Sequence, residues 1–188
     1  MPFTPLIVRK IQEVVAMGLP IDIIGPSPGV IWRKDPMKIV NAYLDWCTGK
    51  TIKNKAVVVF DTMWGSTDKM ARAIEEGIAS QGVEVKLHKL RATDNTDIVT
   101  EITDAKAVVV GSPTLNNGMF PSLGSFFTYI GGLKPKGKTW YFFGSYGWGG
   151  GGVRGLGIRQ GEKIITVGGM IIPGIVGPAA QGPVIALP

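Results

Sequence analysis

The sequence has very little cysteine and histidine. Cys47 is the single cysteine and His88 the single histidine among 188 residues. One thiol excludes an internal disulfide, and one imidazole in addition leaves too few ligands for a metal site of the Cys/His type. We therefore expect a reducing compartment and assign no metal ligands.

Long apolar runs and clusters of like charge are also missing. No uninterrupted apolar stretch approaches the roughly 20 residues of a membrane-spanning helix, and Met1–Thr4 does not begin a signal peptide. The formal net charge is +6, but lysine and arginine occur mostly singly. This pattern argues against nucleic-acid and membrane partners and favours an acidic partner protein. A cytoplasmic protein is expected.

What the chain does contain is a buried strand, a small-residue loop and a helix start in immediate succession. Residues 56–60 read AVVVF, which is typical of a strand covered on both faces of a parallel sheet. Ala71, Ile74 and Ile78 then recur at helical spacing. The intervening residues 61–67 read DTMWGST and predict a ligand-binding turn.

The chemistry of this turn favours a phosphate monoester. Gly65 permits a close backbone approach, and the hydroxyls of Thr62, Ser66 and Thr67 can donate to phosphate oxygens together with the amides of the helix start. The turn lacks both the GK[ST] of a triphosphate loop and the GxGxxG of a dinucleotide loop. The alternative interpretation is that Ser66 or Thr67 simply caps the helix.

A second ligand-type loop follows a second buried strand. Residues 107–111 read AVVVG, and residues 112–121 read SPTLNNGMFP. Asn116, Asn117 and Gly118 tolerate positive φ, so backbone amides and carbonyls there can point at a planar ring. The helix that follows has Leu123, Phe126, Phe127 and Ile130 on one side, and we interpret these side chains as core.

A third loop is unusually rich in glycine. The strand at residues 140–143 opens into residues 144–152, which contain six glycines beside Tyr146 and Trp148. Glycine loses the most entropy on folding, so a ligand or partner that orders the loop is the expected explanation. Tyr146 or Trp148 is suited to stacking on a flat ring. The alternative is an ordinary flexible loop.

Alternating strands and helices predict an α/β fold with a parallel sheet. Residues 83–88 alternate in polarity and predict a half-exposed edge strand, in which His88 occupies the polar register and faces solvent. Because open α/β sheets bind ligands at the carboxyl edge, the three loops are expected to form one site there.

The phosphate turn, TMWGST at residues 62–67, resembles the T-x-x-G-x-T loop of flavodoxin-like domains. The longer strings DTMWGST, SPTLNNGMFP and FGSYGWGGG resemble more narrowly the flavodoxin domain of flavodiiron proteins, which reduce dioxygen or nitric oxide. The resemblance covers about residues 3–156. It implies a flavodoxin-like three-layer sandwich with strand order 2-1-3-4-5, a flavodoxin-like domain at residues 54–156, and FMN as cofactor.

The resemblance implies a set of cofactor-binding residues from the three loops and no catalytic side chain, since the flavin supplies the chemistry. Its ring edge needs donors at O2 and O4 and an acceptor for N3–H. The predicted FMN-binding residues are Thr62, Met63, Trp64, Gly65, Ser66, Thr67, Pro113, Thr114, Leu115, Asn116, Asn117, Ser145, Tyr146, Gly147, Trp148, Gly149 and Gly150.

Residues 1–50 predict a helix, a turn and a second helix that begins at Pro36 and ends at Gly49. This segment resembles the end of the metallo-β-lactamase-like domain that precedes the flavodoxin domain in flavodiiron proteins. The family has P-S-H-G in the turn, with a histidine iron ligand, whereas Pro28 stands at that position here. Proline offers no lone pair to a metal, so we expect no diiron site. Met1 in mid-domain suggests a truncated or split reading frame.

Residues 157–188 form an atypical Gly/Pro-rich tail that no longer resembles the family. Residues 162–167 and 170–172 are each interpreted as a strand, which allows a fifth strand in the sheet. No pattern in the tail predicts a helix that would cover this strand. The closing elements of the fold are therefore left open. An apolar, nearly uncharged tail favours association.

The expected function is that of an FMN-binding electron-transfer domain related to flavodiiron oxygen and nitric oxide reductases. By that resemblance the partner is a small acidic redox protein such as rubredoxin, or a reductase, and a homodimer is a further expectation. One alternative is a stand-alone FMN-dependent oxidoreductase that reduces quinone or oxygen. Another is a truncated, non-functional fragment.

Overall fold

The computed structural model describes residues 3–147 and 149–153, together with the backbone of residues 164–166 and 170–171. The chain divides into two compact units, Met1–Ile52 and Lys53–Pro188.

The first unit contains the two predicted helices, α1 (Thr4–Ala16) and α2 (Pro36–Thr48). The Asp35 side chain caps α2 by accepting a hydrogen bond from the Lys38 amide at 3.2 Å. Gly49 ends the helix at φ 75°, a left-handed conformation that glycine adopts without steric cost. Neither helix buries a residue within the described part of the chain.

The second unit alternates strands with helices. Its elements in chain order are β1 (Lys55–Phe60), α3 (Ser66–Ser80), β2 (Glu84–Lys89), α4 (Asn95–Asp104), β3 (Ala107–Gly111), β4 (Thr114–Leu115), β5 (Gly118–Met119), α5 (Pro121–Leu133), β6 (Thr139–Phe143), β7 (Ser145–Tyr146), β8 (Ile164–Thr166) and β9 (Met170–Ile171). Five strands form one parallel sheet in the order β2-β1-β3-β6-β8. The predicted order 2-1-3-4-5 is thus confirmed, and β8 is the fifth strand.

Helices cover both faces of this sheet, as expected for a three-layer sandwich. Successive β1 side chains point to opposite faces, so Val57 and Val59 belong to the core under α4 and α5, whereas Val58 and Phe60 belong to the core under α3. The interpretation of the α5 side chains as core is confirmed, because Leu123, Phe126, Phe127 and Ile130 are all buried. Among the described helices of the second unit, only α3 packs on its face of the sheet.

The prediction that His88 faces solvent is wrong. His88 pairs with Val59 in the parallel register of β2 and β1, so it lies on the sheet face that α4 covers. The side chain is half buried, and its Nε2 has no hydrogen-bond partner among the described residues. Burial lowers the pKa of this imidazole, although the Glu101 carboxylate of α4 acts in the opposite direction. The polarity pattern of an edge strand does not reveal which helix lies over it.

Candidate functional site

Three loops leave the carboxyl edge of the sheet side by side. The Asp61 amide donates to the Gly111 carbonyl at 3.2 Å, and the Ser112 amide donates to the Phe143 carbonyl at 3.1 Å. The first residues of the loops after β1, β3 and β6 are therefore adjacent across the sheet. We call these the phosphate loop (residues 61–67), the hairpin loop (112–120) and the glycine loop (144–153).

The phosphate loop ends in an uncapped helix start. Gly65 is the residue before α3 and lies at φ 86°, with no side-chain cap hydrogen bond. The first three amides of α3, those of Ser66, Thr67 and Asp68, have no hydrogen-bond partner among the described residues. These amides and the positive end of the helix dipole form an arrangement that attracts an anion.

The alternative interpretation of Ser66 or Thr67 as a helix cap is not supported, since Gly65 occupies the cap position. Ser66 is half buried, and its hydroxyl has no hydrogen-bond partner among the described residues. Thr67 is fully buried, with its Oγ1 2.9 Å from Ser145 Oγ. This hydroxyl pair connects the phosphate loop directly to the glycine loop.

The other phosphate-loop residues differ strongly in exposure. Thr62 is buried, and its Oγ1 accepts a hydrogen bond from the Gly65 amide at 3.0 Å, which closes the turn. Met63 is exposed, and the Trp64 side chain is 91% exposed. A bare indole at the tip of this loop is available for contact with a ligand or a partner.

The hairpin loop contains β4 and β5, which are joined by a two-residue turn. Asn116 and Asn117 lie at φ 48° and 58°, which confirms the predicted positive φ for both, whereas Gly118 sits in β5 without it. Thr114 and Leu115 form β4 and are half buried, and Pro113 is buried. Ser112 Oγ holds the base of the loop by accepting from the Phe120 amide and donating to the Pro113 carbonyl, both at 2.9 Å.

The glycine loop packs against the hairpin loop more closely than any side chain would allow. A Cβ at Gly144 would lie 2.1 Å from the Ser112 carbonyl oxygen, and one at Gly151 would lie 1.9 Å from the Asn117 carbonyl oxygen. The Gly152 amide donates to Thr114 Oγ1 at 3.1 Å. Contact between the loops therefore accounts for several of the glycines without a ligand.

The remaining predicted residues of the glycine loop differ in exposure. Ser145 is buried beside Thr67, Tyr146 is half buried, and Gly147 is exposed. Gly149 and Gly150 are half buried, with the Gly150 Cα near the Tyr146 ring. Trp148 lies outside the described residues.

Sequence reasoning missed three polar residues at the base of the loops. Asp61 is fully buried, and its carboxylate contacts Arg91 after β2 and Ser122 at the start of α5. Asp61 carried one signal, since a carboxylate directly follows an uninterrupted apolar strand. Arg91 and Ser122 carried none, because only the fold brings them to Asp61.

The parallel sheet in this order, with three ligand-type loops at its carboxyl edge, defines a flavodoxin-like domain. The sequence profile of the flavodoxin family matches residues 58–165. This chain therefore belongs to the flavodoxin family.

Its homologues are flavodiiron proteins. A nitric oxide reductase of Moorella thermoacetica is 50% identical over 151 residues, which are 80% of this chain and 38% of that protein. The rubredoxin oxygen:oxidoreductase of Desulfovibrio gigas superposes with a TM-score of 0.84 at 36% identity, over 90% of this chain and 44% of that one. The flavodiiron protein of Giardia intestinalis gives 0.77 at 31% identity, over 87% and 42%. The chain thus spans less than half the length of these relatives.

The family and its structural neighbours imply that this domain binds FMN, which supplies electron-transfer chemistry when bound. The residues present fit such a ligand. The uncapped amides of α3 suit a phosphate, and nothing lies within 4 Å of a Cβ built on Gly65, so the backbone there is accessible. Within the described ranges there is neither a helix long and apolar enough to cross a bilayer nor a group of three or more His, Cys, Asp and Glu side chains suited to a metal.

Proposed function

We propose that this chain is an electron-transfer module that holds FMN in the three loops at the carboxyl edge of its sheet. The observation that carries the proposal is the uncapped start of α3, where the amides of Ser66, Thr67 and Asp68 lack partners among the described residues, next to two loops bonded to one another. An anionic group bound there accepts hydrogen bonds from these otherwise unsatisfied amides.

The roles of the predicted residues follow from their positions. Thr62, Gly65, Ser66 and Thr67 surround the phosphate, with the free Ser66 hydroxyl as the most available side-chain donor. Met63 and Trp64 lie beside the ligand at the tip of the same loop. The ring lies against the hairpin and glycine loops, and the contributing residues are Pro113, Thr114, Leu115, Asn116, Asn117, Ser145, Tyr146, Gly147, Trp148, Gly149 and Gly150.

The proposal also covers the rest of the chain. Residues 1–50 are the end of a lactamase-like domain in which Pro28 replaces an iron ligand, residues 54–156 are the FMN domain, and residues 157–188 are a tail without an assigned role. The net charge of +6 suits an acidic electron donor. The Desulfovibrio gigas relative is a rubredoxin oxygen:oxidoreductase, so a small acidic protein of the rubredoxin kind is the proposed partner.

The test titrates FMN and phosphate-free riboflavin against the Ser66→Ala variant. A charge-assisted hydrogen bond contributes about 1.5–3 kcal/mol, so we expect FMN affinity to fall roughly tenfold to a hundredfold while riboflavin affinity stays unchanged. Ser66 is a cleaner probe than Thr67, because Thr67→Ala would also remove the 2.9 Å contact with Ser145.

Ser80→Ala is the matched control. Ser80 is the last residue of the same helix, and its hydroxyl donates to the Gly77 carbonyl at 2.8 Å, far from the proposed phosphate. We expect this variant to bind both flavins like the wild type. Equal weakening of FMN and riboflavin by Ser66→Ala, or no flavin binding by the wild-type chain, would contradict the proposal.

A further inference from the structure

A buried carboxylate lies at the base of the phosphate loop. Asp61 is 0% exposed, and its carboxylate accepts from the Thr62 amide at 2.7 Å, Arg91 Nε at 2.8 Å and Ser122 Oγ at 2.6 Å. The partners come from the phosphate loop, the segment after β2 and the first turn of α5. One side chain therefore joins three segments that are distant in sequence.

Arg91 completes this network from the outside. Its side chain is 53% exposed, its Nε donates to Asp61, and its Nη2 donates to the Thr62 carbonyl oxygen. Its guanidinium lies 5.4 Å from the ring centroid of Phe120, the last residue of the hairpin loop. The planar guanidinium thus reaches two acceptors and one ring at once, which a lysine does not do.

Both the amide and the carbonyl of Thr62 are therefore hydrogen-bonded. Asp61 accepts from the amide of Thr62, and Arg91 donates to its carbonyl. The Thr62 hydroxyl oxygen in turn accepts from the Gly65 amide. The conformation of the loop before Gly65 is therefore determined by the protein, before any ligand arrives.

The charge of Asp61 also needs a partner. A carboxylate on the first residue of the phosphate loop repels a dianion bound there, and burial strengthens that repulsion because water is excluded. Arg91 is the cation that the structure pairs with it. Without Arg91, a buried negative charge would stand unpaired beside the anion site.

We propose that Asp61 and Arg91 are positioning residues for FMN, which pre-organise the phosphate loop against the hairpin loop and neutralise the carboxylate beneath the phosphate. This inference rests on the proposed function. It assigns the pair no contact with the flavin. Pre-organisation raises affinity because the loop conformation need not be ordered on binding.

The experiment compares Arg91→Met, Arg91→Lys and the double variant Asp61→Asn/Arg91→Met in FMN and riboflavin titrations of the full chain. Arg91→Met should weaken FMN at least tenfold and riboflavin clearly less, because the unpaired carboxylate repels only the phosphate. The double variant should regain part of the FMN affinity, since it removes that carboxylate charge. Arg91→Lys, which keeps the charge but not the two-point geometry, should fall between the wild type and Arg91→Met.

Arg72→Met is the matched control, because Arg72 pairs with Asp68 at 3.0 Å on the exposed surface of α3 and its loss removes the same charge near the same loop. We expect its FMN affinity to stay within about twofold of the wild type, as for exposed pairs in general.

Equal losses of FMN affinity in Arg72→Met and Arg91→Met, equal losses for both flavins, or wild-type affinity in Arg91→Lys would overturn the inference. If Arg91→Met does not fold, the FMN and riboflavin affinities of Arg91→Lys and of the double variant test the inference instead. A wild-type chain that binds no FMN would overturn the proposed function, and this inference with it.

Discussion

At the scale of single residues, the backbones of two loops in the candidate site approach each other so closely that a side chain at Gly151 would clash. The Gly151 Cα lies so near the Asn117 carbonyl that an added Cβ would be 1.9 Å from the oxygen. Backbone atoms on both sides cannot rotate away as the end of a long side chain can. Glycine at this position is required by the packing of the two loops.

We expect Gly151→Ala to force the glycine and hairpin loops apart. The overpacking should cost about 1–3 kcal/mol of the free energy of unfolding, and FMN affinity should fall with it because both loops line the proposed ring site. Urea unfolding and FMN titration measure the two effects. Gly150→Ala is the control for the unfolding measurement alone, because Gly150 itself belongs to the proposed FMN-binding residues. Its Cβ would lie 3.6 Å from the Tyr146 ring, an ordinary contact. Similar stability of the two variants would show that the loops move apart freely.

At the scale of elements, the opposite edge of the sheet holds a charged cluster that anchors α4. Lys55 Nζ at the start of β1 is buried and donates to Glu101 and, at 2.7 Å, to Asp104. Lys138 Nζ donates to the Thr103 and Ala105 carbonyls at 2.9 and 2.6 Å, at the end of the same helix. Burial lowers the pKa of Lys138, which has carbonyl partners only.

The ion pairs of this cluster predict that the free energy of unfolding depends on pH. The hydrogen bond from Lys55 lowers the pKa of Glu101; at Asp104 burial acts to raise the pKa, but hydrogen bonds from Lys53 and Lys55 outweigh it. A carboxylate whose pKa is lower in the folded state stabilises the fold above its unfolded value, about 4, and this stabilisation is lost as pH falls through the folded value. Wild-type stability should therefore drop below about pH 4.

Lys55→Met should be less stable than the wild type by about 2–3 kcal/mol at pH 7, a range reduced for the partial exposure of Glu101. The difference should shrink as pH falls, because protonated carboxyls no longer need the lysine. Chemical unfolding at pH 7 and at pH 3 to 4 measures it. Arg72→Met, which breaks an exposed pair, serves as control, and its free energy of unfolding should stay close to that of the wild type at both pH values. If the difference in free energy of unfolding between the wild type and Lys55→Met stayed constant across this pH range, Lys55 would act through packing alone.

At the scale of the whole molecule, the proposed function combines an FMN domain with a first segment in which Pro28 stands where the resemblance to flavodiiron proteins implies an iron-binding histidine. We expect the purified 188-residue chain to show flavin absorbance and no stoichiometric iron, even after anaerobic incubation with ferrous iron and desalting. Pro28 offers no lone pair, and the described residues contain no metal-suited group of three side chains. Metal analysis beside a visible spectrum provides both readouts. Two irons per chain would contradict the expectation.

The main strands and helices of the second unit followed from local patterns in the sequence, whereas the strand order came from the resemblance to flavodoxin-like domains. Apolar β-branched runs at residues 56–60 and 107–111 predict buried strands wherever they occur, and helical spacing of Ala71, Ile74 and Ile78 predicts the packed face of α3. The positive φ of Asn116 and Asn117 is likewise a property of the residues themselves. These predictions succeed because their causes act over a few residues along the chain.

Only the tertiary structure decided which distant groups meet. Arg91 reaches Asp61 across 30 residues, Thr67 meets Ser145 across 78, and Gly151 closes on Asn117 in a neighbouring loop. The same holds for His88, which α4 half buries although its strand alternates like an edge. Such contacts depend on the order of strands in the sheet and on the helices over it, and one sequence without its fold contains no local trace of either. The sequence alone thus determined the elements and the loops that form the site, whereas the fold decided how those loops are held together.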